Sequence, residues 1–380
     1  MSREVLRGRV VAPDKVIDDG VVVVDGDRIT FVGAAADVED DLPNPVGTLL
    51  PGLVDIHCHG GGGASFTLGD DAEVSAAAAH HLAQGTTSVV ASAVTDSPDR
   101  MLASVRASAA AAARGEVAAI HLEGPFLSSA RCGAQDPRHL LHPDLGLARD
   151  LLEAGEGFVR MMTLAPELPG AETLADLLVE RDVVAAVGHT EASASITARV
   201  LGRQRAGLTT HLFNGMPPLH HRAPGPVGGA LAAAAQGNAR VELIADGVHL
   251  ADETVALVFT LLGSDRIVLV TDAMAAAGMD DGDYQLGPQA VTVREGVARL
   301  RGGDASIAGG TARLVEVVRR VVQRAGVGLV DAVASASRVP AAVLGLDDVG
   351  SLTAGLRADL LLVDEDLRPE QVMRAGEWVR

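Results

Sequence analysis

Lysine is almost absent from the 380-residue chain, since Lys15 is its only lysine and the other 30 basic residues are arginine. Lys15 lies near the N-terminus, outside the apolar pattern that follows it. A mechanism that needs a lysine in the body of the protein is therefore excluded, which removes Schiff-base chemistry and a Walker P-loop.

Aromatic residues make up only 2% of the sequence, with one Trp and one Tyr. Such a chain is poorly equipped to stack bases or sugars on aromatic rings. Asp and Glu number 50 against 31 Lys and Arg, and the formal charge of −19 argues against nucleic acid and anionic membranes as partners.

Long apolar runs and a disulfide framework are also missing. No uninterrupted run reaches the roughly 18 residues of a membrane span. The first residues include charged side chains at positions where a signal peptide has its apolar core. The chain has only two cysteines, Cys58 and Cys132, so we expect a protein of the reducing cytoplasm.

Short apolar runs alternate with helical stretches along most of the chain. Eight of them read as strands buried on both faces, at 53–57, 87–94, 117–121, 159–164, 183–189, 208–212, 241–245 and 267–271. Helix start signals stand between them, such as Asp70 and the pair Ser97-Pro98. Eight such units in a row predict an α/β fold, a (β/α)8 TIM barrel. A doubly wound sheet is the competing interpretation, but it rarely needs eight units.

The two ends of the chain predict a second, smaller unit. Residues 21–24 and 28–32 flank Asp25-Gly26-Asp27, a tight-turn signal, and one more apolar strand is expected at 358–363. Pairing that last strand with the N-terminal segment gives a small β-sandwich domain built from both termini. The expected division is 1–50 and 346–380 for this domain and 51–345 for the barrel.

Histidines and acids follow the ends of the predicted strands, where the active sites of barrels lie. Each alone has an ordinary explanation, such as a helix cap or a side chain satisfied by backbone. One shared metal site explains the whole set better. The candidates are His57, His59, His121, Glu123, His189, His211, His249 and Asp272. Glu123, His189 and His211 with a water would form an open catalytic site, and His57 and His59 could hold a second ion.

The segment 51–60, PGLVDIHCHG, resembles the signature of the amidohydrolase superfamily. Five further segments together resemble its N-acetylglucosamine-6-phosphate deacetylase family: HLEGPF at 121–126, GHT at 188–190, THLFNGM at 210–216, ADGVH at 245–249 and VTDA at 270–273. The resemblance implies metal-dependent hydrolysis of an N-acetyl amino sugar phosphate to acetate and the free amine. The same motifs would serve the galactosamine epimer, and a barrel that has lost catalysis and acts as a scaffold is a further alternative.

The resemblance also implies roles for individual residues. Glu123, His189 and His211 would ligate the tightly held divalent metal, most plausibly Zn²⁺, while His57 and His59 match members that can hold a second ion. Asp272 would be the general base and acid. Many relatives have His where this chain has Gln135, and that His helps to polarise the substrate carbonyl. Gln135 departs from this pattern but can still donate a hydrogen bond. The residues expected to contact substrate are Gln135, Asn214, Gly215, Arg222, His249 and Ile307. A homodimer is expected, with some phosphate contacts crossing its interface.

Overall fold

Four strands open the chain in the computed structural model, which describes residues 3–39, 41–68, 70–203, 207–302 and 306–379. They are β1 (Arg3–Val11), β2 (Val16–Asp25), β3 (Arg28–Ala34) and β4 (Val46–Pro51). The hairpin predicted around Asp25-Gly26-Asp27 is present, since Asp25 pairs with Arg28 at the ends of β2 and β3.

The middle of the chain forms a parallel sheet of eight strands with a helix after most of them. In chain order the elements are β5 (Leu53–Cys58), β6 (Gly60–Gly61), β7 (Ala64–Ser65), α1 (Asp71–Leu82), β8 (Thr86–Val94), α2 (Pro98–Ala113), β9 (Ala119–Glu123), α3 (Leu145–Ala154), β10 (Val159–Leu164), α4 (Ala171–Glu180), β11 (Val184–Val187), α5 (Ala194–Leu201), β12 (Gly207–Thr209), α6 (Gly225–Ala235), β13 (Ala239–Leu243), α7 (Asp252–Leu262) and β14 (Ile267–Leu269).

The predicted barrel is confirmed. The strands of the large sheet follow chain order from β5 and β8 to β14, and every neighbouring pair is parallel. The residues just after β14 close the circle, because the N–H of Asp272 donates to His57 O and the N–H of His59 donates to Ala273 O. The carboxyl ends of all eight strands therefore meet on one face.

Four of the observed strands end before their predicted limits. One is β13, which ends at Leu243 instead of 245, and for the other three the backbone explains why. The strands expected to run to 189, 212 and 271 end at Val187, Thr209 and Leu269. The residues beyond them include His189, His211 and Asp272, which have positive φ angles of 46°, 28° and 49°. A left-handed residue cannot continue a strand, so each chain turns away where its polar side chain is placed.

A small antiparallel sheet follows the barrel strands and was not expected from the sequence. It consists of β15 (Gly282–Leu286), β16 (Gln289–Arg294) and β17 (Val297–Leu300). Its apolar side chains, including Leu286 and Val291, pack with Met274 and Ala276 from the segment after β14. The sheet is thereby fixed beside the carboxyl ends of the barrel strands.

Three helices follow the small sheet, α8 (Leu314–Gln323), α9 (Leu329–Ser335) and α10 (Arg338–Leu344). The N–H of Val54, near the start of β5, donates to Ala336 O between α9 and α10. Val339 and Val343 of α10 pack with apolar side chains of the barrel strands. α10 therefore covers the amino ends of the strands, and the opposite face of the barrel is left open.

The chain ends in β18 (Leu360–Val363), β19 (Pro369–Arg374) and β20 (Glu377–Trp378). β18 pairs antiparallel with β4, so the expected β domain built from both termini is confirmed as one sheet of order β20-β19-β18-β4-β1-β2-β3. The N–H of Ile29 on β3 donates to Leu356 O just before β18. The sheet thus curls around an apolar cluster that includes Leu49 and Leu360.

Within the described residues, none of the helices has both the length and the apolar character needed to cross a membrane. Both cysteines have free thiols, with Cys58 buried and Cys132 partly exposed.

Candidate metal centre

Glu123, at the end of β9, lies at the middle of a cluster of histidines. Its Oε1 is 3.0 Å from His189 Nε2 and 2.9 Å from His211 Nε2, and these two nitrogens are 3.1 Å apart. Its Oε2 is 3.3 Å from His59 Nε2. His57 Nε2 is 3.1 Å from His59 Nε2. Four of the histidines predicted from strand ends are therefore brought together around one carboxylate.

The cluster divides into two groups that share Glu123. One is His57, His59 and Glu123, and the other is Glu123, His189 and His211; in each, the three ligand atoms lie within 4.8 Å of one another. All five residues are buried. These are the distances and donor types that a divalent cation such as zinc uses.

The second nitrogen of each ring shows which nitrogen can bind a cation. His189 Nδ1 is 2.7 Å from Arg131 O, and His59 Nδ1 is 3.0 Å from Ser92 O. A carbonyl oxygen only accepts, so both Nδ1 atoms carry a proton, and in the neutral rings, the form that binds a metal, both Nε2 atoms present a lone pair to Glu123. Imidazole lone pairs that converge on a carboxylate lack the proton that an ordinary hydrogen bond would need. The donor set therefore fits a metal ion.

Electrostatics leads to the same conclusion. Burial lowers the pKa of His57, but the carboxylates of Glu242 and Asp272 outweigh burial and raise it well above its usual range. Burial also lowers the pKa of His59, yet hydrogen bonds to Asp272 and Glu123 raise it to about 9. Buried carboxylates thus draw positive charge into the cluster, and a metal ion can supply that charge in place of protons.

Asp272, the predicted general base, lies beside the two groups. Its Oδ1 is 3.1 Å from His59 Nε2 and 3.5 Å from His57 Nε2. Burial raises the pKa of Asp272, but the two imidazoles outweigh it and lower the pKa to about 2. Its carboxylate is therefore ionised and can accept a proton.

A cavity of about 260 Å³ opens over these residues. Its wall contains every predicted substrate residue except Arg222, together with five neighbours that sequence reasoning did not single out. The predicted residues are Gln135, Asn214, Gly215, His249 and Ile307, and the others are Gly133, Ala134, Leu286, Ser306 and Gly309. The volume is that of a pocket for a small polar metabolite.

Gln135 contacts the cluster of candidate metal ligands directly. Its Nε2 donates to Glu123 Oε2 across 2.6 Å, and its Oε1 accepts the N–H of Thr95 across 2.8 Å. The side chain is buried and held at both ends, so it fixes the carboxylate of Glu123. A hydrogen-bonding role was predicted for Gln135, but this partner was not.

The loop after β12 carries Asn214 and Gly215. Asn214 Nδ2 donates to His211 O across 3.2 Å, which holds its amide beside the cavity. Gly215 has φ of 61°, and a Cβ placed there would lie 2.9 Å from His189 Nδ1. Glycine is required at this position by the backbone and by the ring of His189.

His249 also lines the cavity and is held by Asp246. Its Nδ1 is 2.8 Å from Asp246 Oδ2, and its backbone N–H donates to Asp246 Oδ1. Burial lowers the pKa of His249, but the carboxylate of Asp246 outweighs it and raises the pKa. The raised pKa favours the charged form of the imidazole, and that form suits an anionic ligand.

Arg222 is not brought to the cavity. It is exposed on the loop between β12 and α6, and its Nη1 lies 2.7 Å from His221 Nε2. His121, which was predicted to lie at a strand end, stays outside the cluster. Its ring bonds Ser92 Oγ and Thr163 Oγ1 inside the barrel.

Glu242 is a residue beside the candidate metal ligands that sequence reasoning missed. Its Oε2 is 3.0 Å from His57 Nδ1, and its side chain is fully buried. The signal was available, since a charged residue inside the otherwise apolar strand 241–245 is unusual.

The model of the amidohydrolase family matches residues 48–379. The N-acetylglucosamine-6-phosphate deacetylase of Bacillus subtilis (strain 168) is 33% identical over 369 residues, 94% of this chain and 92% of that protein. The N-acetylgalactosamine-6-phosphate deacetylase of Escherichia coli O157:H7 is 34% identical over 336 residues, 87% of each chain.

Among solved structures, a mutant N-acetyl-D-glucosamine-6-phosphate deacetylase from Mycobacterium smegmatis, in complex with N-acetyl-D-glucosamine-6-phosphate, is 42% identical to this chain. It superposes with a TM-score of 0.94 and covers 100% of this chain and 99% of its own. The similarity therefore extends over both the barrel and the β domain.

Proposed function

The chain belongs to the amidohydrolase family, and from that premise we propose that it hydrolyses the acetamide of N-acetylglucosamine 6-phosphate to glucosamine 6-phosphate and acetate. The observation that carries the proposal is the convergence of Glu123, His189, His211 and Asp272 on one small cavity. The relatives from B. subtilis and M. smegmatis, which are named for this reaction, support the choice of substrate.

The metal would be held by Glu123, His189 and His211, with His57 and His59 available for a second ion. We propose zinc, because four imidazoles and a carboxylate suit it better than magnesium or calcium. When bound, such an ion supplies a Lewis acid and lowers the pKa of a water molecule toward neutrality.

Asp272 would transfer the proton. An amine is a poor leaving group, so amide hydrolysis needs a group that takes a proton from water and returns it to the departing nitrogen. The carboxylate of Asp272 is ionised and lies at the cavity wall. It can accept the proton and then donate it to the nitrogen.

Substrate contacts would come from the rest of the cavity wall. The amide of Gln135 has a second N–H besides the one bound to Glu123, and we assign it to the acyl oxygen of the substrate. The sugar phosphate would be bound by Asn214, the backbone of Gly215 and the imidazole of His249. Ile307 would pack on the apolar edge of the sugar.

Arg222 would bind the phosphate of the substrate that is held in the pocket of a second subunit. It lies outside its own cavity, on an exposed loop next to Leu219, an apolar side chain that is 52% exposed. A homodimer in which this loop reaches the partner's pocket would use both residues.

The location in a reducing cytoplasm stays a prediction from the cysteine content.

The galactosamine epimer is the second candidate substrate, favoured by the 34% identical relative from E. coli. The deciding experiment measures acetate release from the 6-phosphates of N-acetylglucosamine and N-acetylgalactosamine and from unphosphorylated N-acetylglucosamine, with metal content determined on the same sample. We expect the first to be turned over fastest. A protein that binds metal but releases acetate from none of the three would contradict the proposal, and one that binds no metal would favour the scaffold alternative.

A further inference from the structure

Glu242 lies near the end of β13 with its carboxylate inside the barrel. Its neighbours Val241 and Leu243 pack between the barrel and its helices, so the alternation of the strand turns Glu242 inward. The side chain is 0% exposed. Burying a carboxylate costs free energy unless neighbouring groups replace its contacts with water. The partners of Glu242 therefore show what stabilises it.

The partners are residues of the metal centre. Glu242 Oε2 is 3.0 Å from His57 Nδ1 and 3.0 Å from the backbone N of His211. Because the carboxylate oxygen accepts, Nδ1 is the protonated nitrogen of His57. In the neutral ring, the Nε2 of His57 therefore has a lone pair on the side that faces His59 and Glu123.

One carboxylate oxygen thus connects the two ligand groups. His57 belongs to the group with His59, and His211 belongs to the group with His189. The bond to His211 also holds its backbone at φ of 28°, a conformation that needs support. Glu242 therefore acts on one group through an imidazole ring and on the other through the main chain.

The acceptor of His57 differs from those of the other ligands. His59 and His189 direct Nδ1 to neutral carbonyls, of Ser92 and Arg131. His211 Nδ1 has no hydrogen-bond partner among the described residues. A carboxylate acceptor makes an imidazole a stronger metal ligand than a carbonyl does. His57 is the ligand that receives this support.

We propose that Glu242 is a positioning residue that turns His57, His59 and Glu123 into a metal site, and so decides whether the centre holds a second ion. The inference rests on the proposed function, since it assumes that the centre is a metal site. Without the carboxylate, His57 could move its proton to Nε2 and would no longer present a lone pair.

The test uses the full chain, stripped of metal and titrated with Co²⁺, whose visible absorption reports the ligands of each bound equivalent. Glu242→Leu removes the acceptor, while Glu242→Gln keeps an acceptor oxygen and loses the charge. Thr209→Val is a matched control, because it is an isosteric change on neighbouring β12 at a buried hydroxyl without a hydrogen-bond partner in the described chain.

We expect two equivalents in the wild type and in Thr209→Val. In Glu242→Leu the affinity for the second equivalent should fall about 10–100-fold, with the first changed much less, and Glu242→Gln should lie between. If Glu242→Leu does not fold, the test depends on Glu242→Gln alone, and we expect its affinity for the second equivalent to fall.

Unchanged second-equivalent affinity in the folded variants, equal loss of both equivalents, or a wild type that binds a single ion would each overturn the role of Glu242. Acetate release measured beside the titration separates the two proposals. A wild type that binds two ions yet hydrolyses no amino sugar would refute the proposed function and leave the role of Glu242 standing.

Discussion

The backbone N–H of Asp272 donates to the carbonyl of His57 across 2.9 Å. One hydrogen bond that closes the barrel therefore also joins the proposed general base to a candidate metal ligand. The side chain of Asp272 then lies 3.1 Å from His59 Nε2. The position of the base relative to the ligands is set by the closure of the barrel, which is more rigid than a free loop.

Asp272→Asn should remove the proton carrier while keeping the shape of the side chain. General acid–base catalysis contributes about 10²–10⁴-fold, so kcat should fall by that factor. Metal bound by Glu123, His189 and His211 should stay, as measured by elemental analysis of the same sample. Asp359→Asn is a control, because Asp359 is a buried carboxylate in the β domain, paired with Arg357. Near-normal turnover in Asp272→Asn would make Asp272 a structural residue.

Removal of the metal should abolish acetate release. A chelator such as dipicolinate followed by dialysis tests this, and added Zn²⁺ should restore the activity. Mg²⁺ should not, since the imidazole donors His57, His59, His189 and His211 suit zinc, whereas magnesium requires oxygen ligands. Full activity in a preparation shown to be free of metal would be incompatible with the proposed mechanism.

Gly215→Ala should disturb the metal centre through the ring of His189. The new Cβ would lie 2.9 Å from His189 Nδ1, and the residue would hold a left-handed φ of 61°. Gly225→Ala is the matched control, with φ of 60° and no atom within 4 Å. Both changes should cost about 1–2 kcal/mol of folding free energy, measured by denaturant unfolding. Only Gly215→Ala should also lower metal affinity, and equal metal binding in both variants would argue against the contact with His189.

Arg222→Ala should lower kcat/KM for the 6-phosphate substrate about tenfold to a hundredfold, because hydrogen bonds to charged groups contribute roughly 1.5–3 kcal/mol. Turnover of the unphosphorylated sugar should hardly change. A uniform loss on both sugars would instead indicate a general structural effect.

Co-expression tests whether Arg222 acts in the partner's pocket. In a mixed dimer of an Arg222→Ala subunit and an Asp272→Asn subunit, the first keeps Asp272 and would receive Arg222 from the second. One complete site per mixed dimer should then appear, with activity well above that of either variant alone. Mixed dimers with no gain over the separate variants would show that Arg222 serves its own subunit or none.

The sequence alone was enough to predict the barrel and the five candidate metal ligands. Buried parallel strands must be apolar on both faces, so eight such runs identify the fold, and a polar residue at a strand end must face the one open rim. His189, His211 and Glu123 stand at such ends, and the structure brings them together within hydrogen-bonding distance. The β domain was also predictable, because the apolar strand expected at 358–363 needs a sheet to join, and β18 does pair with β4.

Contacts between residues distant in the chain were decided by the tertiary structure. Gln135 holds Glu123 because the loop after β9 folds back over its own strand, and Glu242 meets His57 across 185 residues of sequence. Arg222 lies outside the cavity although it follows a ligand strand closely. Local pattern determines which face a side chain occupies, but the atom it meets there depends on how the closed barrel and its loops place every other strand. Those distances arise from packing of the whole chain.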